Sequence, residues 1–290
     1  SAETEPFARG LTFGRTHAAR IAATLSGYRA MWEGLRPGHD PVPAGRTALA
    51  ATEAYAPHLA AEMRGMAEGA GLDPALIGAL NARTEILAEL KAPLRGECSA
   101  VLAIPDLDRP PVAVQTWDWF CRFRDTWLVW EIPLEDGTTT RTLTEYGIVG
   151  KAGVNSRGIG LLFTILHHAR DGEGIGLPVH VAARAALDLA QSLQDAAQRL
   201  AAAPVSASSS LNLCCWQKGQ SLAMTVELHP GGPSFVLADA EGLLVHTNHF
   251  LAPEPAAEDT GPRANPDTLL RRDLLLRRLK GGVTGPEQVL

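Results

Sequence analysis

The spacing of apolar residues changes character near residue 98, and this switch limits the fold of the chain more than any other feature. Upstream, Arg15 to Trp32 and Thr47 to Met66 carry apolar residues at helical spacing. Asp73-Pro74 is a helix start, with Asp as N-cap and Pro in the first turn, and the helix runs through Leu76, Leu80, Ile86 and Leu87 toward Leu90. Pro93 and Gly96 stop it. Downstream the period becomes two. Strands are predicted over 99–104, 111–117, 127–132, 139–144, 152–154 and 159–165, with Glu135-Asp136-Gly137 and Asn155-Ser156-Arg157-Gly158 as turns. A helix pair follows over 179–189 and 193–202. Strands return over 208–216, 221–228, 234–237 and 243–246, then a Pro- and Glu-rich loop over 252–265 and a Leu- and Arg-rich helix over 266–279. Hairpins in runs, with helices before, between and after them, predict an α+β layered domain rather than a parallel βαβ sheet. No Gly/Ser linker divides the chain, and one domain spanning 1–290 is expected.

Composition narrows the function classes. A net charge of −6 argues against a nucleic-acid partner, whose binders carry a basic face. No apolar run is long enough to cross a membrane, so no membrane partner is expected. Cys98, Cys121, Cys214 and Cys215 form no C-x-x-C pair and no disulfide framework, which points to a reducing compartment. The Ala- and Arg-rich composition suggests a GC-rich bacterial source, and a cytoplasmic location is expected. The alternative is export through a signal peptide removed ahead of Ser1. His167-His168 and His246/His249 are the only close His pairs, and neither a metal site nor a cofactor is expected.

Five segments invite a chemical reading, and each has an ordinary explanation by itself. They are Leu80-Asn81-Ala82-Arg83-Thr84-Glu85-Ile86, Arg95-Gly96-Glu97-Cys98-Ser99-Ala100, Gln115-Thr116-Trp117-Asp118-Trp119, the Gly-rich run from Thr144 through Glu145, Gly147, Gly150, Lys151 and Gly153 to Asn155-Ser156, and His246-Thr247-Asn248-His249. A lone Cys is usually a small buried apolar residue. Trp-rich strands are usually core, and Gly-rich turns are usually turns. The His residues suggest a Cys-His protease, but the sequence around such a protease's Cys is absent. Arg170 to Gly176 is Gly-rich yet lacks the Lys-Ser/Thr ending of a phosphate loop, and it reads as a mobile lid beside a pocket. Trp117, Trp119, Phe120, Trp127 and Phe163 are candidates for an apolar acyl pocket.

In this order and spacing the five segments resemble the acyl-coenzyme A:6-aminopenicillanic acid acyltransferase family, peptidase family C45 of the N-terminal-nucleophile (Ntn) hydrolases. The resemblance runs from about Leu80 to Phe250. It implies a four-layer αββα sandwich made as an inactive precursor that cuts itself before a Cys. Carried over, the cut falls between Glu97 and Cys98, giving a helical α chain, 1–97, and a catalytic β chain, 98–290, that stay associated. Cys98 is then the nucleophile, Asp118 matches the Asp of the family's Trp-Asp pair, and Asn248 matches its oxyanion donor. Ser210 matches a strand Ser, with Ser209 as the alternative. Two departures stand out. Glu97 replaces the Gly of well-known members, which is expected to alter the rate of self-cleavage. The family also continues past the point matching Leu290 with strands carrying a Ser-Arg pair, so one edge of the fold is expected to be open.

The implied chemistry suits these residues. An amide needs a nucleophile, a base and oxyanion donors. A free N-terminal Cys supplies a thiol, with a reference pKa of about 8.5, and an α-amine of about 8 that can take its proton. The expected activity is hydrolysis of a small non-peptide amide or N-acyl compound through a Cys98 thioester. The alternatives are acyl-CoA-dependent transfer to an amine acceptor, and an inactive binding member of the family. A homo-oligomer is compatible with the sequence.

Overall fold

The computed structural model describes residues 2–92 and 97–289. Pro93 and Gly96, read above as the helix stop, and Arg95 lie outside them. Among the described residues five helices precede Cys98: α1 (Pro6–Leu35), α2 (Val42–Tyr55), α3 (Pro57–Ala70), α4 (Pro74–Asn81) and α5 (Arg83–Glu89). The single helix expected over 47–66 is in fact two. Pro57 lacks an N–H and crowds the residue before it, and Ala56 takes a non-helical conformation there. The helix expected from Asp73 to Leu90 is likewise broken, at Ala82. Asp73 does cap its start, accepting from the N–H of Ala75. Helices α1 and α3 pack through glycines. A Cβ on Gly10 or Gly65 would come within 2.0 and 2.1 Å of a carbonyl oxygen on the facing helix, so only glycine allows this approach.

Ten antiparallel strands follow among the described residues, in two sheets. The small sheet has the order β10-β1-β2, from β1 (Ser99–Ala103), β2 (Val112–Thr116) and β10 (Leu243–His246). The large sheet runs β3 (Trp127–Pro133), β4 (Thr139–Glu145), β5 (Ala152–Asn155), β6 (Ile159–Ile165), β7 (Ser209–Gln217), β8 (Gln220–His229) and β9 (Gly232–Leu237), in that spatial order. The helices α6 (Val179–Leu189) and α7 (Leu193–Ala201) join β6 to β7. After β10 come α8 (Pro253–Ala256), α9 (Gly261–Ala264) and α10 (Asp267–Leu279), so the expected loop over 252–265 holds two short helices.

Side-chain alternation assembles the layers. On β6 and β7, Leu161, Phe163, Leu211 and Leu213 join the core under α6 and α7. The opposite face turns Cys214 and Leu162 toward Leu102 and Leu244 of the small sheet. On the far side of that sheet Val101, Ala103, Leu243 and Val245 pack against Leu275, Leu276 and Leu279 of α10. The layers are therefore helix, sheet, sheet, helix, the αββα sandwich. The inter-sheet layer is apolar at one end and polar at the other, where Thr164, Ser210, Asn212, Thr225 and Glu227 are fully buried.

A second buried polar group joins α1, α3 and α6. The Arg9 Nε donates to Glu62 at 2.6 Å, Arg184 reaches the same carboxylate at 3.1 and 3.2 Å, and its Nε donates to both oxygens of Asp188 at 2.8 Å. Two guanidiniums thus face two carboxylates. Burial alone would push Asp188 up, but the Arg184 charge and the hydrogen bonds from Arg184 outweigh it and hold the group at about 2. A carboxyl held below its unfolded value contributes stability above that value and loses it as pH falls through the folded one. The fold should therefore lose about 2 kcal/mol from this group between pH 5 and pH 2. Urea denaturation at the two pH values measures it. The Asp188→Asn chain should show a smaller difference, and an equal difference would assign the acid sensitivity elsewhere.

Candidate active site

Cys98 lies one residue before β1, 4% exposed, and Glu97 before it is exposed. The Asp118 backbone N–H donates to the Cys98 thiol. Burial pushes that thiol up, and the N–H and the nearby Lys151 and Arg271 charges offset this only in part. The side chain of Asp118 faces solvent.

Arg271, one turn into α10, ties the neighbourhood together. One guanidinium nitrogen donates to the Cys98 carbonyl at 2.7 Å and to Ser99 Oγ at 2.9 Å, and the other donates to Asn248 Oδ1 at 3.1 Å. Its Nε donates to Asp267 at 2.7 Å. Asn248, two residues past β10, donates from Nδ2 to the Ile165 carbonyl at 2.8 Å, and its backbone N–H donates to Thr268 Oγ1 at 2.8 Å. The Arg271 donor fixes which end of the amide is oxygen. One of the two Nδ2 hydrogens is used on Ile165, and the other remains for a ligand.

The Ile165 carbonyl is available because β5 is short. Beyond Leu161, β6 has no β5 residue opposite it. Side chains from the small sheet take over that edge. Gln115 of β2 donates to the Phe163 carbonyl and accepts from its N–H, and Asn248 takes Ile165. The two sheets are thus joined by amide side chains beside Cys98.

Ser210 is placed differently. Its hydroxyl accepts from Asn212 Nδ2 at 2.9 Å and lies 2.9 Å from Thr164 Oγ1, which donates to the Thr247 carbonyl at 3.0 Å. Thr225 donates to Asn212 Oδ1 at 2.6 Å. Since Thr164 gives its proton to Thr247, Ser210 must give its own to Thr164, so every link has one direction. The chain ends one residue from Asn248. Ser209 faces the other side and bonds the Ser208 carbonyl, so of the two only Ser210 belongs to the inter-sheet layer.

A second charged cluster adjoins the thiol. Lys151 Nζ donates to Glu145 Oε2 at 2.6 Å and lies 3.9 Å from the centre of the Trp117 ring. Arg83 Nε is 3.2 Å from the same oxygen, and its guanidinium covers Trp119 at 4.4 Å. Tyr28 donates to Glu145 Oε1 at 2.8 Å. The aromatic residues expected to share an acyl pocket therefore do not all converge, although Trp119 meets Phe120 edge-on with ring centres 5.1 Å apart. Trp117 and Trp119 lie beneath cations, Phe163 is core, and Phe120 and Trp127 are exposed.

A cavity of about 310 Å³ lies between the end of α5 and the segment after β6. Thr84, Leu87, Ile165, His167 and Ser208 are among its walls. Ile165, whose carbonyl holds Asn248, is one of its walls, while Asn248 and Cys98 are not among the described residues that line it. The Gly-rich segment read as a mobile lid is anchored at Asp171, which accepts from the His168 N–H at 2.8 Å and Ser208 Oγ at 2.6 Å.

The sequence pattern of the acyl-coenzyme A:6-aminopenicillanic acid acyl-transferase family matches residues 108–268, more than half of the chain. The chain belongs to this family. The matched segment contains Asp118, Lys151, Ser210 and Asn248, while Cys98 precedes it and Arg271 follows it. A curated relative, the 40 kDa form of acyl-coenzyme A:6-aminopenicillanic-acid-acyltransferase from Emericella nidulans, is 30% identical over 222 residues, 76% of this chain and 59% of its own length. The chain thus spans about three fifths of that relative. Among solved structures, penicillin V acylase from Agrobacterium tumefaciens is similar with a TM-score of 0.31 and 15% identity, over 55% of this chain and 47% of that one.

Of the residues singled out in the sequence, Cys98, the Asp118 backbone and Asn248 meet at one place, and Ser210 joins them through Thr164 and Thr247. Arg271 was not found, because its helix carries four arginines at similar spacing. Lys151 stood inside the Gly-rich motif, and only tertiary packing reveals its neighbours.

Proposed function

We propose that the chain cuts itself between Glu97 and Cys98, and that the freed Cys98 forms a thioester with the acyl group of a small amide or N-acyl compound. The observation that carries this reading is the Arg271 guanidinium, which holds the Cys98 carbonyl and the Asn248 amide in one cluster. The thiol, with its proton passed to the new α-amine, attacks the substrate carbonyl. The unused Nδ2 hydrogen of Asn248 stabilises the oxyanion, and the α-ammonium protonates the leaving amine. The Asp118 N–H holds the sulfur in line. Water then releases the acid, and this hydrolysis is the leading activity. An amine acceptor in place of water gives acyl transfer through the same intermediate.

Intact mass of the purified chain tests the cut, with fragments 1–97 and 98–290 expected and a single uncut chain opposing it. Release of acid from an acyl-thioester, with and without an added amine, separates hydrolysis from transfer. Failure to consume any acyl donor after cutting would favour a binding role.

Alkylation supplies a further check. In the uncut chain Cys98, Cys214 and Cys215 are buried, burial pushes Cys214 up to about 11, and Cys121 is exposed. Brief substoichiometric iodoacetamide should therefore label Cys121 first. After cutting, the new ammonium beside the thiol favours thiolate, and Cys98 should become the main site. Peptide mapping reads the change. Labelling that stays on Cys121 in cut protein, with activity retained, would remove Cys98 as the working nucleophile.

A further inference from the structure

Self-cleavage raises a chemical problem that the cut enzyme does not have. Before cutting, the Cys98 nitrogen is part of an amide and is not basic, yet the thiol must lose its proton to attack the Glu97 carbonyl. Burial makes that loss harder. Another group must accept the proton.

Lys151 stands where such a group is needed. Its ammonium lies over the Trp117 ring, and the next residue, Asp118, donates its N–H to the thiol. The charges of Lys151 and Cys98 act on each other. The surrounding charge does not close. Arg83 and Lys151, both buried, share one close carboxylate, Glu145, and among the described residues no guanidinium nitrogen of Arg83 has a hydrogen-bond partner. The buried Glu85 also acts on Arg83, but burial raises that carboxyl to about 7, so it offsets the excess only in part. A buried excess of positive charge favours loss of a proton.

We propose that Lys151, in its neutral form, accepts the Cys98 thiol proton in the uncut chain, directly or through one water. It returns that proton to the Cys98 nitrogen as the Glu97–Cys98 bond breaks. The inference rests on the self-cleavage reading above. The steps balance. The proton moves from sulfur to Nζ, the sulfur bonds to the Glu97 carbonyl carbon, and the carbon–nitrogen bond breaks as Nζ protonates the departing nitrogen. Water then opens the thioester to a Glu97 carboxylate and a free Cys98 thiol. Lys151 ends as it began, and the new α-amine takes over as base for later turnovers.

The groups facing Lys151 fix where it titrates. Burial and Arg83 of α5 lower it, while Glu145 of β4 and the Cys98 charge before β1 oppose them, leaving it at about 7. Tyr28 of α1 bonds Glu145 and stays protonated, because burial drives it well above its usual range. His180 of α6 is buried and held well below its usual value, so it is neutral.

The experiment refolds the full chain from urea at pH 5.5 to 9 and follows cutting by intact mass. Wild type should cut faster as pH rises, then level off near 7. Lys151→Met leaves Arg83 balanced by Glu145 and fills a similar volume, so it should fold, as circular dichroism would verify. It should cut roughly a hundredfold or more slowly, with no break near 7. Glu145→Gln removes the partner that favours the ammonium, and its break should move to lower pH. A folded Lys151→Met chain with the wild-type rate and profile would overturn the proposal. So would a wild-type profile that rises instead through the free thiol value of about 8.5. A wild-type chain that never cuts would instead reject self-cleavage itself, and a Cys98→Ala chain that does cut would remove Cys98, and with it the proton Lys151 is proposed to accept.

Discussion

Replacing Cys98 by alanine is expected to leave one uncut chain of 290 residues, where the proposed self-cleavage of wild type would yield fragments 1–97 and 98–290. The expected effect is all or none. Ser99 is the next residue able to attack Glu97, but its hydroxyl accepts from Arg271 and it starts a paired strand. Alanine keeps the Cβ and loses only the sulfur, so β1 and its pairing to β10 should be unaffected. The uncut variant should also fail to turn over any acyl donor, since neither the thiol nor the new amine exists. Intact mass after prolonged incubation decides the first point. Normal fragments from the alanine chain would remove Cys98 from the mechanism.

Asn248→Ala is expected to lower turnover by roughly a hundredfold or more, equivalent to about 3 kcal/mol of barrier, because the proposed oxyanion donor disappears. The structure adds a second effect. Asn248 also accepts from Arg271 and donates to Ile165, so alanine leaves one cation without that acceptor and one carbonyl without its donor. A stability loss of about 1–3 kcal/mol is expected alongside the kinetic one. The two are separable. Asn248→Asp would keep the bond from Arg271 and lose the donor, so it should be as slow as alanine with stability partly restored. Near-wild-type turnover in both variants would assign Asn248 to holding the segment after β10.

The strands were legible in the sequence to within one or two residues, because turn residues bound each short run and apolar or β-branched residues fill it, even where both faces are buried, as on β6 and β7. Val101 and Ala103 face α10 while Leu102 faces the large sheet, so β1 is apolar on both faces and reads as a short apolar run rather than an alternation. The helix breaks at Ala56 and Ala82 were not legible. Apolar spacing carries through both, and at the first only Pro57 marks the interruption. Periodicity alone could not stack the sheets, and the four layers came from the resemblance. For the site, motif order singled out Cys98, Asp118, Ser210 and Asn248. It could not reveal that Asp118 presents its backbone N–H to the sulfur, or that a helix arginine clasps the Cys98 carbonyl. Both arise from chain segments brought together only when the two sheets close.

The ties between residues before Glu97 and residues after Cys98 have a consequence for how the protein would come apart. Arg184 bonds Glu62, Tyr28 bonds Glu145, Asn81 holds Gly147 and Val149, and Glu85 accepts from the Val179 N–H, all in the interior. In an uncut chain these are intramolecular contacts, and unfolding is a first-order event. One hydrolysed peptide bond would turn them into the interface of a heterodimer. Melting would then become a dissociation whose midpoint rises with protein concentration, and fragments diluted from denaturant would have to find each other again. A single cut would thus make an easily renatured polypeptide into a two-component assembly that is hard to rebuild, with no atom of the interior displaced.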